Sequence, residues 1–213
     1  MNVNLNPIGS NNGVSWVSAF TDLQDALDIA TVNDEIWVAA GIYLPTDAPD
    51  GTTSTGATDR NNAFHLHTDM KIYGGFSGNG TETSLLQRDT STNITILSGD
   101  FIGNDVVTGR GANLVITDNT ENAYHVMITA NLTAASVIDG FTIKGANANG
   151  GNAIIYQSKT FYRYSGGGMF NYYSSPTITN TIFSNNDAHD EGGGIYNIYS
   201  SPTITNTTFS YNN

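Results

Sequence analysis

Residues 166–186 read GGGMFNYYSSPTITNTIFSNN, and residues 192–212 read GGGIYNIYSSPTITNTTFSYN. The two stretches lie 26 residues apart and share 16 of their 21 aligned residues. A fixed period of this length without a helical pattern is typical of a solenoid, in which each repeat buries its apolar face against its neighbours. The repeat therefore indicates the fold class.

Each repeat contains a short strand followed by a corner. The run Thr-Ile-Thr at 177–179 and again at 203–205 has high strand propensity. It is followed by Asn180 or Asn206, a residue type that tolerates the left-handed backbone of a sharp turn. Because the two asparagines are equivalent, we predict that their side chains form a hydrogen-bonded ladder from one repeat to the next.

The apolar residues of the repeat also require a corner. Ile178 and Phe183 lie five residues apart, so a single straight strand would point them to opposite faces. A bend at Asn180 turns both inward. The pattern of short strands joined by Asn and Gly corners describes one turn of a parallel β-helix. Four residues are predicted to be buried in its core: Ile178, Phe183, Ile204 and Phe209.

The repeat resembles a known family. Gly-Gly-hydrophobic at 167–169 and 193–195, combined with Phe-x-x-Asn at 183–186 and 209–212, is similar to the repeat of chlamydial polymorphic outer-membrane proteins. It is also similar to the repeats of bacterial secreted right-handed β-helix proteins. The resemblance implies an all-β, right-handed parallel β-helix of the pectin-lyase-like type, a secreted or cell-surface location, and adhesion as the best-known role.

The first part of the chain differs from the repeats. Four apolar residues between positions 16 and 30 share one helical face: Phe20, Leu23, Leu27 and Ala30. We interpret residues 1–33 as a short strand, a loop and an α-helix that caps a β-helix spanning residues 34–213. Residues 45–62 predict a long polar loop. Residues 137–144 align with 177–184 at a spacing of 40, so an insertion is expected between Ala148 and Gly166.

Composition excludes several classes of function. The chain has a formal net charge of −12 with only seven Lys and Arg residues, which argues against nucleic acid and against anionic membranes as partners. It contains no Cys, so thiol catalysis and disulfides are excluded. No stretch reaches membrane-spanning length, and the first residues lack the charged start and apolar centre of a signal peptide. We interpret Met1 as the start of a processed or recombinant chain.

Tyrosines are the first candidate for a binding site. Tyr173 and Tyr199 are equivalent in the two repeats, so their rings are expected to point outward and to stack at roughly 4.8 Å. Sugar rings pack on such platforms. Three further tyrosines are expected to widen the surface: Tyr172, Tyr162 and Tyr164. The alternative is an outward ladder that only stabilises stacking.

A charged turn between the two repeats is a candidate metal site. It contains three carboxylates and one imidazole within five residues: Asp187, His189, Asp190 and Glu191. Carboxylates suit Ca²⁺, which is the only cofactor that the sequence suggests, and His189 would suit a softer metal. The turn lacks the alternating spacing and the Gly of an established calcium loop, and a solvated charged turn is the alternative.

Enzymatic activity on polysaccharides would need other residues. A lyase requires a base and a cation beside a uronate carboxylate, and the available residues are Asp139, Lys144, Lys159 and Arg163. A glycoside hydrolase requires paired carboxylates about 5–10 Å apart, for which Asp100 and Asp139 are candidates. These residues are scattered in the sequence.

We therefore expect a non-catalytic secreted or cell-surface module for adhesion or glycan binding. The alternatives are a polysaccharide lyase or hydrolase, and a structural stalk or filament segment. A polysaccharide or a cell-surface glycan is the expected partner. The last repeat has no cap after it, so self-association through that end is also expected.

Overall fold

The structure, a computed structural model, describes residues 1–51, 56 and 58–213. Its described part is mostly β, with one α-helix, α1 (Leu23–Ile29), and two short 3-10 helices at Leu85–Gln87 and Gly111–Asn113. The strands, in chain order, are β1 (Asn2–Val3), β2 (Glu35–Ala39), β3 (Gly41–Tyr43), β4 (Phe64–Leu66), β5 (Lys71–Phe76), β6 (Thr95–Ser98), β7 (Val106–Thr108), β8 (Val115–Thr117), β9 (Met127–Ala130), β10 (Val137–Asp139), β11 (Phe141–Lys144), β12 (Asn147–Ala148), β13 (Ala153–Tyr156), β14 (Lys159–Tyr162), β15 (Met169–Tyr172), β16 (Thr177–Thr179), β17 (Ile182–Ser184), β18 (Asp187–Ala188), β19 (Ile195–Ile198), β20 (Thr203–Thr205) and β21 (Thr208–Ser210).

Three parallel sheets form the body of the protein. Sheet A has the order β1-β2-β5-β10-β16-β20, sheet B the order β3-β6-β11-β17-β21, and sheet C the order β4-β9-β15-β19. From β2 onward the chain passes through A, B and C in that order and then begins again. One such passage is a circuit. Strands β12 and β18 form a small parallel pair, and two antiparallel hairpins, β7–β8 and β13–β14, complete the described strands.

Strand register follows the repeat. Thr177 pairs with Thr203, and Phe183 pairs with Phe209, so equivalent residues of the two repeats are neighbours. The earlier circuit joins them in the same way, because Val137 pairs with Thr177. The predicted alignment of residues 137–144 with 177–184 is confirmed. The predicted insertion after Ala148 is the hairpin β13–β14.

Asparagines form the corner between sheets A and B. Asn180 and Asn206 both have a φ of 48°, and Gly140 takes the equivalent position with a φ of 85°. The Asn206 Nδ2 donates to the Asn180 Oδ1 at 2.5 Å. The Asn180 Nδ2 donates in turn to the Asp139 Oδ1 at 2.9 Å. The predicted ladder is therefore confirmed, and it continues into a carboxylate of the preceding circuit.

One main apolar cluster lies inside the sheets. Ile178 and Phe183 are fully buried in it, as predicted. The prediction that Ile204 and Phe209 are buried is wrong, because their exposed fractions are 41% and 48%. Strands β20 and β21 are the last strands of sheets A and B, so no further strand covers them. The Phe209 ring covers Phe183 instead, in a stack with 5.1 Å between ring centroids.

The N-terminal helix is shorter than predicted. It begins after Asp22, whose side chain accepts a hydrogen bond from the Gln24 N–H at 2.8 Å and satisfies a free donor of the first turn. Helix α1 contacts β1, β2 and β4 at the start of sheets A and C. Phe20 and Ala30 lie outside the helix, yet both are buried with Leu23 and Leu27. No helix in the described ranges is long and apolar enough to cross a membrane.

The predicted polar loop lies between β3 and β4, and its described residues contain no helix or strand. Residues 52–55 and 57 of this loop lie outside the described residues.

Candidate functional site

The hairpin β13–β14 covers part of the outer face of sheet C. Successive residues of a strand point to opposite faces, so Phe170 points outward while its neighbour Met169 enters the main core. The Phe161 ring of the hairpin packs edge-on against Phe170, with 5.0 Å between ring centroids. Ile128 and Ile154 are buried in the same outer cluster. The residues on the outer face of β19 are only partly buried.

Three of the predicted tyrosines stand at the edge of this cluster. Tyr173 and Tyr199 stack with 4.7 Å between ring centroids and 18° between ring planes. Their exposed fractions are 50% and 71%, so the predicted outward pair is present. The Tyr172 ring lies 5.4 Å from the Tyr173 ring and 6.2 Å from the Tyr199 ring. The Lys159 Nζ lies 4.7 Å from the Tyr173 ring centroid, in a cation–π contact.

The other two predicted tyrosines form a second stack. Tyr162 and Tyr164 stack with 5.2 Å between their ring centroids. Partial burial raises the pKa of Tyr172, and the neighbouring phenols of Tyr173, Tyr199 and Tyr162 raise it further. Tyr172 therefore lies within electrostatic range of Tyr162 as well as of Tyr173 and Tyr199. The tyrosine patch consists of Tyr162, Tyr164, Tyr172, Tyr173 and Tyr199.

One member of this surface was missed from the sequence. The Tyr196 phenol is hydrogen-bonded to the Glu191 carboxylate, and this bond raises the pKa of Tyr196; Tyr164 and Tyr162 contribute smaller effects of the same sign. In the first repeat Phe170 takes the position of Tyr196 and is buried. The change from Phe to Tyr was the available signal, because a hydroxyl at this position requires a partner or water.

The backbone at the patch is unfavourable for tyrosine. Tyr173 and Tyr199 have φ values of 48° and 49°, in the left-handed region that costs an L-residue with a bulky side chain about 1 kcal/mol. Asn131, the equivalent residue one circuit earlier, has a φ of 59°. Asparagine adopts this positive φ at a lower energetic cost than tyrosine, and the two repeats nevertheless carry tyrosine. Such a cost is a reason to look for a role of the side chain.

The structure does not gather the four residues of the predicted metal site. His189 Nδ1 lies 2.7 Å from Asp190 Oδ1 on the exposed turn, and Glu191 is hydrogen-bonded to Tyr196. Asp187 lies in β18 and accepts a hydrogen bond from the Asn213 side chain. Within the described ranges, these four residues are not among the groups of three whose ligand atoms lie close together. Asp187, Asp190 and Glu191 each contact a different partner instead.

Three of the four residues proposed for a lyase each have a contact of their own. Asp139 forms an ion pair with Arg88, whose Nη2 lies 3.0 Å from its Oδ2. Lys159 lies over Tyr173, and the Arg163 guanidinium lies 5.5 Å from the Tyr124 ring centroid. Arg88 therefore pairs with Asp139, while Lys159 and Arg163 each contact a tyrosine ring.

Asp100, one of the proposed hydrolase carboxylates, lies in a cluster that the sequence analysis missed. Asp100, Asp105 and Glu121 each offer an oxygen within 4.8 Å of the other two. Burial raises the pKa of Asp105 to about 6, and the charges of Asp100 and Glu121 add to this effect. The short spacing of Asp100 and Asp105 was visible in the sequence. Glu121 comes close to these two residues only because the hairpin β7–β8 folds the chain back, and this hairpin was not predicted.

Comparisons with protein-family models, with curated proteins and with solved structures found no match to this chain. The resemblance to chlamydial polymorphic outer-membrane proteins therefore stays a prediction from the repeat. What the structure establishes at this level is a nearly all-parallel β-sheet architecture that is compatible with that resemblance.

Proposed function

We propose that the protein is a non-catalytic secreted or cell-surface module that binds glycans through the tyrosine patch. The observation that carries the proposal is the exposed stack of Tyr173 on Tyr199 with Tyr172 beside it, accompanied by the second stack of Tyr162 and Tyr164. Flat aromatic rings pack against the apolar faces of sugars, and phenol hydroxyls add hydrogen bonds at the rim. An adhesive role in secreted β-helix proteins agrees with this chemistry.

The fold that we propose for this module is a right-handed parallel β-helix with α1 as its N-terminal cap. Its support is the repeated passage through sheets A, B and C, each of which is parallel throughout. Connections between parallel strands of one sheet are right-handed in nearly all proteins, which favours this hand. Helix α1 contacts the first strands of sheets A and C, where a cap is required.

Charge narrows the class of glycan. The chain carries 19 Asp and Glu residues against seven Lys and Arg residues. Such an excess of negative charge repels uronate-rich and sulfated polysaccharides. At the patch, the positive charge of Lys159 is balanced by the carboxylate of Glu191 near Tyr196. The patch therefore has no excess of positive charge that would attract an anionic glycan. The proposed ligand is therefore a neutral polysaccharide.

The test replaces Tyr173 and Tyr199 by Asn, the residue that this corner already carries at Asn131. The double variant is expected to fold, because Asn suits a positive φ. Loss of two stacking rings, each worth about 1 kcal/mol, corresponds to a loss of affinity of roughly 10-fold or more. Calorimetric titration and affinity electrophoresis with soluble neutral polysaccharides measure this loss.

Tyr211→Asn is the matched control. Tyr211 is also exposed and has a φ of 53°, and the equivalent residue of the first repeat is Asn185 with a φ of 55°. The control variant should bind glycan like the unmodified protein. Equal binding by the double variant, or equal loss in the control, would contradict the proposal. Release of reducing ends or unsaturated products from the bound polysaccharide would replace it by the enzymatic alternative.

A further inference from the structure

The carboxylate cluster lies where a hairpin joins the body of the protein. Asp100 follows β6 in a tight turn, Asp105 directly precedes β7, and Glu121 follows β8. The chain therefore leaves and re-enters the body beside Asp100. The three carboxylates each place an oxygen within 4.8 Å of the other two.

The positive charge around the cluster is too small to neutralise its three carboxylates. Lys144 interacts electrostatically with Asp105, and Arg60 interacts electrostatically with Glu121. In the part of the chain that the structure describes, neither of them forms an ion pair with the cluster. Arg60 is instead directed at carbonyl groups, and its Nε donates to the Asn122 carbonyl at 2.6 Å. Three carboxylates at this separation repel one another strongly in a partly buried site.

Among the residues that the structure describes, two buried oxygens at the cluster find no hydrogen-bond partner. Asn122 is fully buried, and its side chain is directed at the cluster, because Nδ2 lies 3.0 Å from both carboxylate oxygens of Asp105. The Oδ1 of this side chain has no partner. The Oε1 of Glu121 is also buried and has no partner. Buried polar atoms are nearly always satisfied in folded proteins, so these two oxygens indicate a missing ligand that accepts lone pairs.

We propose that this cluster binds a Ca²⁺ ion through the carboxylates of Asp100, Asp105 and Glu121 and through Asn122 Oδ1. Asn122 Nδ2 keeps its hydrogen bonds to Asp105, and the buried Oδ1 of the same amide is the neutral oxygen ligand. The donor set consists of oxygens alone, which suits a hard cation. Ca²⁺ accepts irregular geometry from loop residues, whereas Mg²⁺ requires a near-octahedral set.

The bound ion would tie the two ends of the hairpin β7–β8 to the turn after β6. Asp100 already organises this turn, since its Oδ1 accepts a hydrogen bond from the Gly103 N–H at 2.6 Å. The ion would add cross-links from this turn to Asp105 and to Glu121. The site shares no residue with the tyrosine patch, and its role is to hold the hairpin in place.

The test is calorimetric titration of the whole chain with CaCl2 and with MgCl2, combined with thermal unfolding in CaCl2 and in EDTA. The expected result is one Ca²⁺ per chain and weaker binding of Mg²⁺. A Ca²⁺ concentration of 100 times the dissociation constant should raise the midpoint of unfolding by roughly 5–10 °C. No saturable Ca²⁺ binding at millimolar concentration, or no rise in the midpoint, would overturn the proposal.

Glu121→Gln is the informative variant, with Asp105→Asn as the second. Each removes one charge and is expected to weaken Ca²⁺ binding at least 10-fold. In EDTA these variants should unfold at the same temperature as the unmodified protein or higher, because a like charge is removed. This readout separates loss of a ligand from loss of the fold.

Asp118→Asn is the matched control, since Asp118 is exposed, follows β8, and has a φ of 58° that Asn tolerates. It should bind Ca²⁺ unchanged. A double variant, Asp190→Asn with Glu191→Gln, separates the cluster from the charged turn and should also bind unchanged. Loss of binding in either control, with retention in Glu121→Gln, would overturn the assignment to Asp100, Asp105 and Glu121.

Discussion

Phe183 and Phe209 provide an internal comparison of burial at one repeat position. Phe183 is fully buried, while Phe209 stacks on it and is 48% exposed. Phe183→Ala removes a ring from the closed interior and leaves a cavity, which costs roughly 3–5 kcal/mol. Phe209→Ala removes a ring that still contacts water, and no closed cavity forms. The hydrophobic loss is then about half of the 1.5–3 kcal/mol of full burial, or roughly 1 kcal/mol.

Urea unfolding followed by far-ultraviolet circular dichroism measures both free energies of unfolding. The expected difference between the two variants is roughly 2–4 kcal/mol, with Phe183→Ala the less stable. The double variant should cost less than the sum, because the two rings are in contact and their contributions are coupled. Equal losses for Phe183→Ala and Phe209→Ala would refute the reasoning, since they would mean that the last repeat is as well covered as the one before it.

Two further predictions concern a buried histidine and the uncovered end. The pKa of His125 is lowered to about 4 by burial, so between pH 6.5 and 4 the unfolded chain binds a proton that the folded chain does not. The contribution of His125 to stability should therefore decrease by roughly 3 kcal/mol over this range as the pH falls. Asp105, whose pKa is raised to about 6, contributes with the opposite sign, so the effect is measured as the change with pH in the difference between the unmodified protein and His125→Gln. His189→Gln, on the exposed turn, should retain the His125 contribution. At the end formed by β20 and β21, Ile204 and Phe209 line an open hollow of about 410 Å³. Light scattering should show concentration-dependent association that Ile204→Lys reduces, and a monomer at every concentration would contradict this.

The repeat predicted the stacking of strands because equivalent residues become direct neighbours in a parallel sheet. Asn180 illustrates the strength of this argument. An amide that tolerates a positive φ and recurs at one period has its equivalent directly beside it, and the ladder follows from that geometry. The pairing of Tyr173 with Tyr199 was predictable for the same reason.

Other features depend on contacts that no local pattern encodes. Phe209 has nearly the same sequence surroundings as Phe183, and its exposure follows from the absence of a further strand beyond β21 in sheet B. The cluster of Asp100, Asp105 and Glu121 depends on the hairpin between them. That hairpin has short strands, Val106–Thr108 and Val115–Thr117, without a two-residue turn signal such as Asn-Gly. Sequence patterns at neighbouring positions therefore could not bring Glu121 to the other two.

Both antiparallel hairpins are inserted at the same corner of the body, between a strand of sheet B and the next strand of sheet C. The short turn after β18 takes this place in the following circuit, since the His189 N–H donates to the Ala148 carbonyl just before the hairpin β13–β14 starts. Segments of very different length are thus accepted there, while β5, β10 and β16 of sheet A and β6, β11 and β17 of sheet B keep a continuous register. This corner can therefore accept inserted segments that form new surfaces, and the turn at His189 is a suitable position for grafting a foreign peptide.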